Sequence, residues 1–299
     1  MNKYVIFIGG PTASGKTSMS ISLAKHYQSE IISADSRQFY REISIGTAKP
    51  DASDRNSVKH HMIDSLDIEQ EYSAGHFERD ALELITQLHQ SQDVIIVVGG
   101  TGLYHRAIYA GLDLFPPITS EDKRYHEELL DNKGLVHLQS ELRAQDPVYA
   151  QIVDLNNPLR LIRALSVIKK TGNTFSSYLN QKKAARTFVS IKLAIDIDRT
   201  LLYQRINLRV DQMIEHGLIE EAKSMLAHRH LNSLNTVGYK ELFKYFDGQW
   251  SYDMAIEKIK QHTRNYAKRQ ITWFNNQDDW LKVSKIDEAI KIIDKNLHS

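Results

Sequence analysis

A glycine-rich segment near the N-terminus, residues 9–17, constrains the fold of this chain most strongly. An apolar run, residues 4–8, leads into it and a helix-forming segment follows, which is the order of a phosphate-binding P-loop. Its glycines let the backbone curl so that N–H groups point at phosphate oxygens, and the helix N-terminus adds positive charge. A chance glycine-rich turn would not need the flanking strand and helix. The residues that would hold a diphosphate or triphosphate are Gly10, Pro11, Thr12, Ala13, Ser14, Gly15, Lys16 and Thr17.

The composition is typical of a globular protein and bounds its class. The chain has 299 residues, of which 41% are apolar and 25% charged, enough for one large domain or two modest ones. It has no cysteine, which excludes disulfides, iron–sulfur clusters and thiolate zinc sites. No signal-peptide pattern or long apolar run is present, so we expect a cytoplasmic protein without a membrane segment. We also expect the protein to be a monomer. With a net charge of only +1, a polyanionic partner would need a local basic surface.

Strand-like and helix-like segments alternate over the first hundred residues. Buried-strand patterns at residues 4–8, 30–33 and 94–98 are separated by helical periodicity, which predicts an α/β fold with a doubly wound parallel sheet. Residues 115–187 show helical patterns without a convincing strand. A strand at 189–197 and further helices follow. We therefore predict a P-loop core formed by residues 1–114 and 188–299, with a helical insertion domain at 115–187.

The acidic group that usually accompanies a P-loop is missing from its expected place. A second strand would supply a carboxylate for Mg²⁺ beside the Thr17 hydroxyl, but residues 94–98 end in Gly99-Gly100-Thr101-Gly102. Motor-type ATPases are therefore disfavoured. Asp35 is the nearest carboxylate, because it follows the strand at 30–33 and ligands sit at the carboxyl ends of parallel strands. Asp35 could act near Mg²⁺, act as a general base, or only cap the loop after it, and Thr101 should lie at the same edge.

Basic residues recur on two predicted helices. Arg160 and Arg163 share one face of a helix that begins after Asn157-Pro158. In the final helix, at about residues 251–274, Lys260, Arg264 and Lys268 form a basic stripe opposed by Glu257 alone. Both could be ordinary solvated faces, but cations next to aromatic and amide groups at 268–275 also suit single-stranded RNA loops. The histidines lack zinc-like spacing.

These segments together resemble the tRNA dimethylallyltransferases along nearly the whole chain. Seven pieces occur in that family's order: Gly10–Thr17, Asp35–Tyr40, Ile45–Pro50, Gly99–Tyr104, Asn157–Leu165, Val237–Lys240 and Lys268–Trp273. One such segment would be weak evidence for the resemblance, whereas seven segments in the family's order are specific to that family. The family's eukaryotic zinc-finger extension is absent, so the resemblance is to bacterial-type members. The chain departs from many relatives at Leu159 and Ser166 and at Asn235-Thr236.

The resemblance implies a reaction and assigns roles to residues. The P-loop would hold dimethylallyl diphosphate, and its diphosphate would leave as the prenyl group passes to N6 of the adenine on the 3′ side of the anticodon. Lys16, Arg209 and Mg²⁺ bound by Thr17 would stabilise the leaving group, with Arg205 a further candidate. Asp35 would be the general base and Thr101 would position the adenine or the diphosphate. The partner is the tRNA anticodon stem-loop, contacted by Asp35, Ser36, Arg37, Gln38, Thr101, Arg124, Leu159, Arg160, Leu161, Ile162, Arg163, Asn235, Gly238, Tyr239, Lys240, Lys268, Arg269, Gln270 and Trp273.

Two other functions are compatible with parts of the sequence. A prenyltransferase acting on free adenine nucleotides would need the P-loop and Asp35 but no surface for an anticodon arm. An NTP-dependent kinase or a nucleotide-regulated RNA-binding module would bind or turn over ATP. The basic helices speak against the first alternative, and the glycines after residue 98 speak against the second.

Overall fold

The computed structural model describes residues 2–181 and 183–298 and divides into two compact units. One unit comprises the chain up to Ala110 together with the chain from Arg186 onward, and we call it the core. The other is Gly111–Ala185, which we call the insertion. None of the described helices combines the length and apolar character that a membrane crossing requires.

The first part of the core alternates strands and helices. Its elements are β1 (Tyr4–Gly9), α1 (Lys16–His26), β2 (Ile31–Ser33), α2 (Ala52–Ser57), β3 (His60–His61), α3 (Ala74–Leu88), β4 (Val94–Val98) and α4 (Gly102–Ala110). The two-residue strand β3 was not predicted, because an edge strand of two histidines has no apolar run to reveal it.

The described residues of the insertion form helices and no strand. They are α5 (Ser120–Lys133), α6 (Leu135–Gln145), α7 (Pro147–Ile152), α8 (Pro158–Thr171) and a 3₁₀ helix at Phe175–Tyr178. Helix α8 begins as the sequence predicts: Asn157 accepts a hydrogen bond from the Arg160 backbone N–H, and proline takes the first helical position. The insertion has a hydrophobic core of its own, centred on Leu138, Leu142, Leu161 and Leu165.

The chain then returns to the core. The remaining elements are β5 (Val189–Ile195), α9 (Arg199–Glu215), α10 (Leu218–Ser224), α11 (Tyr239–Phe246), α12 (Tyr252–Asn275), β6 (Leu281–Val283) and α13 (Ile286–Leu297). Short 3₁₀ helices at Leu226–His228 and Asn232–Leu234 connect α10 to α11.

The six strands form one sheet in which every pairing is parallel. Their order is β3-β2-β4-β1-β5-β6, so β1 lies between β4 and β5, in register from Tyr4 opposite Val94 to Ile8 opposite Val98. The predicted doubly wound α/β fold is confirmed. The P-loop leaves the carboxyl end of this central strand, where ligands of such sheets bind.

Helices cover both faces of the sheet, which explains why β1 is buried along its whole length. Because side chains alternate along a strand, Ile6 and Ile8 pack with α1 and α13 on one face. Val5 and Phe7 pack with α3 and α4 on the other face. A third apolar cluster, centred on Tyr239 and Leu242, joins α9, α10, α11 and α12.

Candidate active site

A cavity of about 490 Å³ opens at the carboxyl ends of the core strands, and we call it the main cavity. The P-loop, the loop after β2, and helices α9 and α12 supply its walls. Lys16, Asp35 and Arg209, singled out from three separate stretches of sequence, all line it. The remaining lining includes an apolar group, namely Val210, Met213, Leu218 and Ile259. The cavity therefore combines a charged region with an apolar one.

The P-loop has the backbone that a phosphate cradle requires. Gly10 and Gly15 have φ values of 143° and 97°, and Ala13 also lies in the left-handed region at 62°. Helix α1 begins at Lys16 without a side-chain cap, so its first N–H groups are open to a ligand. A recess of about 260 Å³, the P-loop recess, is lined by Ala13–Ser18, Asp54 and Arg209.

One buried hydroxyl in this loop has no protein partner. Ser14 is 5% exposed and its Oγ makes no hydrogen bond to the described residues. A buried polar atom without a partner is costly unless a ligand or water bonds to it. Because Ser14 lines the P-loop recess, a phosphate oxygen there would supply the missing partner.

The charges at the bottom of the main cavity influence one another. Burial lowers the pKa of Lys16 to about 7, the nearby Asp35 carboxylate raises it in part, and the Arg209 guanidinium lowers it. Burial also raises the pKa of Asp35, against the hydrogen bond from the Arg37 backbone and the charge of Lys16. The ammonium of Lys16 donates to the Pro11 carbonyl at 2.6 Å. An anion in the recess would compete with that carbonyl for the ammonium.

Arg209 and Arg205 both lie near the P-loop on α9. Arg209 lines the main cavity and the P-loop recess, and burial lowers its pKa. A Cβ atom at Gly15 would lie 3.9 Å from Nη1 of Arg205. The four-residue spacing thus brings both guanidinium groups to the same side of the helix, although only Arg209 lines the recess.

Asp35 begins a loop whose side chains are largely used within the protein. Its Oδ1 accepts the Arg37 backbone N–H at 3.0 Å, as expected for a residue that caps the loop. Asp35 also lines the main cavity. The Arg37 guanidinium donates to the carbonyls of Asn232 and Ser233 at 2.8 and 3.1 Å. Gln38 Nε2 donates to the carbonyls of residues 47 and 48. These hydrogen bonds hold the loop in place and engage the side chains of Arg37 and Gln38 within the protein.

Thr101 supports this loop from outside the cavity. Its Oγ1 accepts the Ser36 backbone N–H at 3.3 Å, and Thr101 itself does not line the cavity wall. Its side chain also hydrogen-bonds with Tyr266, which does line the wall. Burial raises the pKa of Tyr266 to about 12, with a further contribution from Asp35. No sequence motif marks Tyr266 as a cavity residue.

A second group that the sequence does not reveal is a paired carboxylate and imidazole in the lining of the main cavity. His262 Nδ1 donates to Glu241 Oε1 at 2.6 Å, and the other carboxylate oxygen accepts the Gly238 backbone N–H at 2.8 Å. Both side chains line the main cavity. The residues are distant in sequence, and no motif spacing links them.

The predicted RNA-contacting residues of the core divide into exposed and buried groups. Lys240, Asn235, Lys268 and Arg269 are exposed. Tyr239 is fully buried, with its hydroxyl 2.5 Å from Glu221, so its side chain cannot reach a ligand on the surface. Gly238 and Gln270 are also buried, and Trp273 is half-buried.

The basic stripe of the last long helix is largely paired inside the protein. Lys260 lies 2.7 Å from Asp211, and Arg264 donates to Asn207 at 2.6 Å, both partners being on α9. The expectation that Glu257 alone opposes this stripe is therefore wrong, because a neighbouring helix invisible to the helical pattern supplies Asp211. Lys268 has no ion pair among the described residues and stays exposed.

The predicted contacts of the insertion also divide by burial. Leu161 and Ile162 belong to the hydrophobic core of the insertion, because they lie on the inward face of α8. Leu159, Arg160 and Arg163 are exposed on α8, and Arg124 is exposed on α5.

The residues of the P-loop recess suit a small hard cation. Thr17 offers a hydroxyl and Asp54 a carboxylate, and both line the recess. Mg²⁺ prefers oxygen ligands and is commonly held by one carboxylate, a P-loop hydroxyl and phosphate oxygens. Asp54 was not singled out from the sequence, because it lies at the start of α2, far from the P-loop along the chain.

Comparison with known proteins gives a consistent result. The family model described as IPP transferase matches residues 38–277. A protein of Christiangramia forsetii named tRNA dimethylallyltransferase is 48% identical over 293 residues, 98% of this chain and 97% of that protein. A solved full-length tRNA isopentenylpyrophosphate transferase of Bacillus halodurans is 36% identical, with a TM-score of 0.72 over 100% of this chain and 96% of that one.

A more distant solved structure has the same fold. A eukaryotic dimethylallyltransferase crystallised acting on tRNA is 26% identical, with a TM-score of 0.77 over 99% of this chain and 77% of that chain. Sequence and fold agree over nearly the whole length of the chain. The chain belongs to the IPP transferase family of enzymes.

Proposed function

We propose that this protein transfers the dimethylallyl group of dimethylallyl diphosphate to N6 of the adenine on the 3′ side of the anticodon in tRNA. The observation that carries the proposal is one cavity in which Lys16, Asp35 and Arg209 meet beside an uncapped P-loop helix. The names of relatives that are 48% and 45% identical to this chain, over 98% and 97% of its length, support the choice of donor and acceptor.

The donor's diphosphate would occupy the P-loop recess. Breaking the allylic carbon–oxygen bond places negative charge on the diphosphate and positive charge on the prenyl unit. The uncapped N–H groups of α1, the Ser14 hydroxyl, Lys16 and Arg209 would stabilise the departing anion. The apolar residues of the main cavity are suited to the prenyl chain.

Mg²⁺ would be held by the Thr17 hydroxyl and the diphosphate, with Asp54 as the carboxylate ligand in the same recess. The ion would neutralise part of the negative charge that develops on the leaving group. The guanidinium of Arg209 lines the same recess and would share this role.

Asp35 would accept the proton that N6 loses as the carbon–nitrogen bond forms. The lone pair of this amine is delocalised into the purine ring, so a base within hydrogen-bonding reach helps its attack. Burial raises the pKa of Asp35, which makes its carboxylate a better proton acceptor than an exposed aspartate. The Arg37 backbone N–H and Thr101, through Ser36, would hold this carboxylate in place.

The acceptor adenine would enter the main cavity after leaving the anticodon stack. Enzymes that modify a base in a stacked strand take it out of the stack. In the core, the exposed Lys240, Lys268 and Arg269 would bind the RNA backbone. In the insertion, Arg124, Arg160 and Arg163 would do the same.

The acceptor can be determined with a labelled donor. The protein is incubated with dimethylallyl diphosphate carrying label in the prenyl group, Mg²⁺ and either unmodified tRNA or AMP. We expect label in tRNA and none in AMP. A tRNA in which guanine replaces the adenine beside the anticodon is the control and should stay unlabelled. Label in AMP but not in tRNA would assign the protein to the free-nucleotide prenyltransferases instead.

A further inference from the structure

We propose that Gln270 does not contact RNA but holds the P-loop in the shape that binds diphosphate. Its side chain is 6% exposed, although its neighbours Lys268 and Arg269 are on the surface. The inference rests on the proposed function only in naming diphosphate as the ligand. Gln270 also lines the main cavity, but its amide oxygen and nitrogen are both bonded to the protein. It would therefore be a positioning residue, acting on the substrate through the loop.

Both ends of the Gln270 amide are used within the protein. Its Oε1 accepts the backbone N–H of Thr12 at 2.9 Å, and its Nε2 donates to the Gly100 carbonyl at 2.9 Å. Only one orientation of the amide fits, since a backbone N–H must meet the oxygen and a carbonyl must meet the nitrogen. One side chain on α12 therefore joins the loop after β1 to the turn after β4.

The bond to Thr12 divides the P-loop into two parts. The N–H of Thr12 is occupied by glutamine and is unavailable to a phosphate. The P-loop recess is lined from Ala13 onward and does not include residues 10–12. The first part of the loop is thus anchored to the protein, and the cradle proper begins one residue later.

The turn after β4 is shaped to receive this glutamine. A Cβ atom at Gly100 would lie 2.1 Å from Nε2 of Gln270, so only glycine leaves room for it. The next glycine, Gly102, faces Trp273 in the same way, at 2.2 Å from its ring. Gln270 and Trp273 are three residues apart on α12, so one face of this helix packs against the turn.

Replacing Gln270 by methionine keeps the volume and removes both hydrogen bonds. The Thr12 N–H and the Gly100 carbonyl would then lack partners, and the loop would relax away from its binding shape. We expect the affinity for inorganic diphosphate with Mg²⁺, measured by calorimetry, to fall by about tenfold or more. The affinity for a tRNA anticodon stem-loop should stay within about twofold, because the surface cations are untouched. Gln261→Met, on an exposed position of the same helix, is the control and should change neither value.

The opposite pattern would overturn the inference. If Gln270→Met weakens RNA binding and leaves diphosphate binding intact, Gln270 contacts RNA; if it changes neither, the two hydrogen bonds do not shape the loop. A poorly folded variant would lose both affinities together. Failure of the unaltered protein to bind diphosphate would contradict the proposed function instead.

Hydrogen exchange on the unaltered protein tests the same anchor without a substitution. The Thr12 amide should be protected in the ligand-free protein, because Gln270 already accepts its hydrogen. The amides of residues 13–17 that turn toward the recess should gain protection only when inorganic diphosphate is added. Rapid exchange of the Thr12 amide before ligand is added would contradict the anchor, whatever the enzyme transfers.

Discussion

Lys16 and Asp35 carry opposite charges in one cavity, and burial disfavours both charges. It lowers the pKa of Lys16 to about 7 and raises the pKa of Asp35. The charge on each group favours the ionised form of the other and so offsets part of the effect of burial. A negatively charged diphosphate would favour the ammonium form of Lys16 further. Binding of the donor would therefore keep Lys16 protonated for the reaction.

Asp35→Asn tests the general base with little change in shape. The amide oxygen can still accept the Arg37 N–H, but it cannot take a proton from N6. Turnover at saturating substrates should fall by roughly two to four decades, while affinity for the anticodon stem-loop stays nearly unchanged. Asp278→Asn, at an exposed position outside the cavity, is the control. Near-normal turnover of the Asp35 variant would remove this residue from the mechanism.

The pH dependence of the reaction should report the same two groups. Asp35 must be ionised to act as a base, so kcat/KM should be lost as pH falls through a pKa above the ordinary aspartate value. Lys16 must be protonated to bind diphosphate, so kcat/KM should also fall as pH rises beyond about 7. In kcat, the basic limb should lie at higher pH because the bound anion favours the ammonium.

Lys16→Arg separates the lysine from other groups that titrate in this range. Arginine keeps its charge across the accessible pH range, so the basic limb of kcat/KM should disappear in the residual activity. A basic limb that stays at the same pH would mean that another group, such as the donor diphosphate, causes it.

At the level of single residues, the sequence identifies site residues that belong to motifs. It does not identify site residues whose partners are brought close only by folding. The P-loop, Asp35 and Arg209 carry recognisable neighbours in sequence, and all line the same cavity in the structure. Tyr266 and Asp54 also line the cavity or its recess, but their partners lie far away along the chain. No local pattern marks such residues.

Among the elements, α12 shows most clearly why a basic pattern need not be a binding surface. Two of its cations, Lys260 and Arg264, are bonded to α9, whereas Lys268 and Arg269 remain exposed. A helical wheel assigns residues to faces but does not show what the neighbouring helix presents. The helix itself, at residues 252–275, could be predicted from periodicity.

Charge removal on α12 should therefore affect RNA binding unequally. Replacing Lys268 and Arg269 together by alanine should weaken binding of the anticodon stem-loop and reduce the slope of log affinity against log salt by about 1 to 2. Lys260→Ala should leave that slope unchanged, since Lys260 is paired with Asp211. Equal effects of the two variants would mean that the ion pair opens when RNA binds.

The glycine turn after β4 offers a test of packing. A Cβ atom at Gly99 would lie 2.2 Å from the carbonyl oxygen of Ala34, a backbone atom that cannot swing aside. Gly99→Ala should lower the free energy of unfolding by about 2 kcal/mol or more. Gly75→Ala, at an exposed position of α3, should be neutral or stabilising by about 0.5 to 1 kcal/mol. Urea denaturation compares the two, and equal stability of both variants would contradict the close approach.

For the whole molecule, alternation of strands and helices was sufficient to predict the sheet, because a parallel sheet buries continuous apolar strands. Pairing order and the edge strand β3 were not predictable in this way. The order β3-β2-β4-β1-β5-β6 depends on contacts between strands distant in sequence, and β3 is only two histidines long. The predicted limits of the helical insertion stay a prediction.

The central claim is that the P-loop holds a leaving diphosphate and that RNA is the acceptor, with no nucleoside triphosphate consumed. A single-turnover reaction with labelled dimethylallyl diphosphate, Mg²⁺ and tRNA, without ATP, measures this most directly. The account predicts one prenyl group on N6 of the adenine beside the anticodon for each diphosphate released, as read by mass spectrometry of the digested RNA. Diphosphate release without modified adenine, or a requirement for ATP hydrolysis, would contradict it.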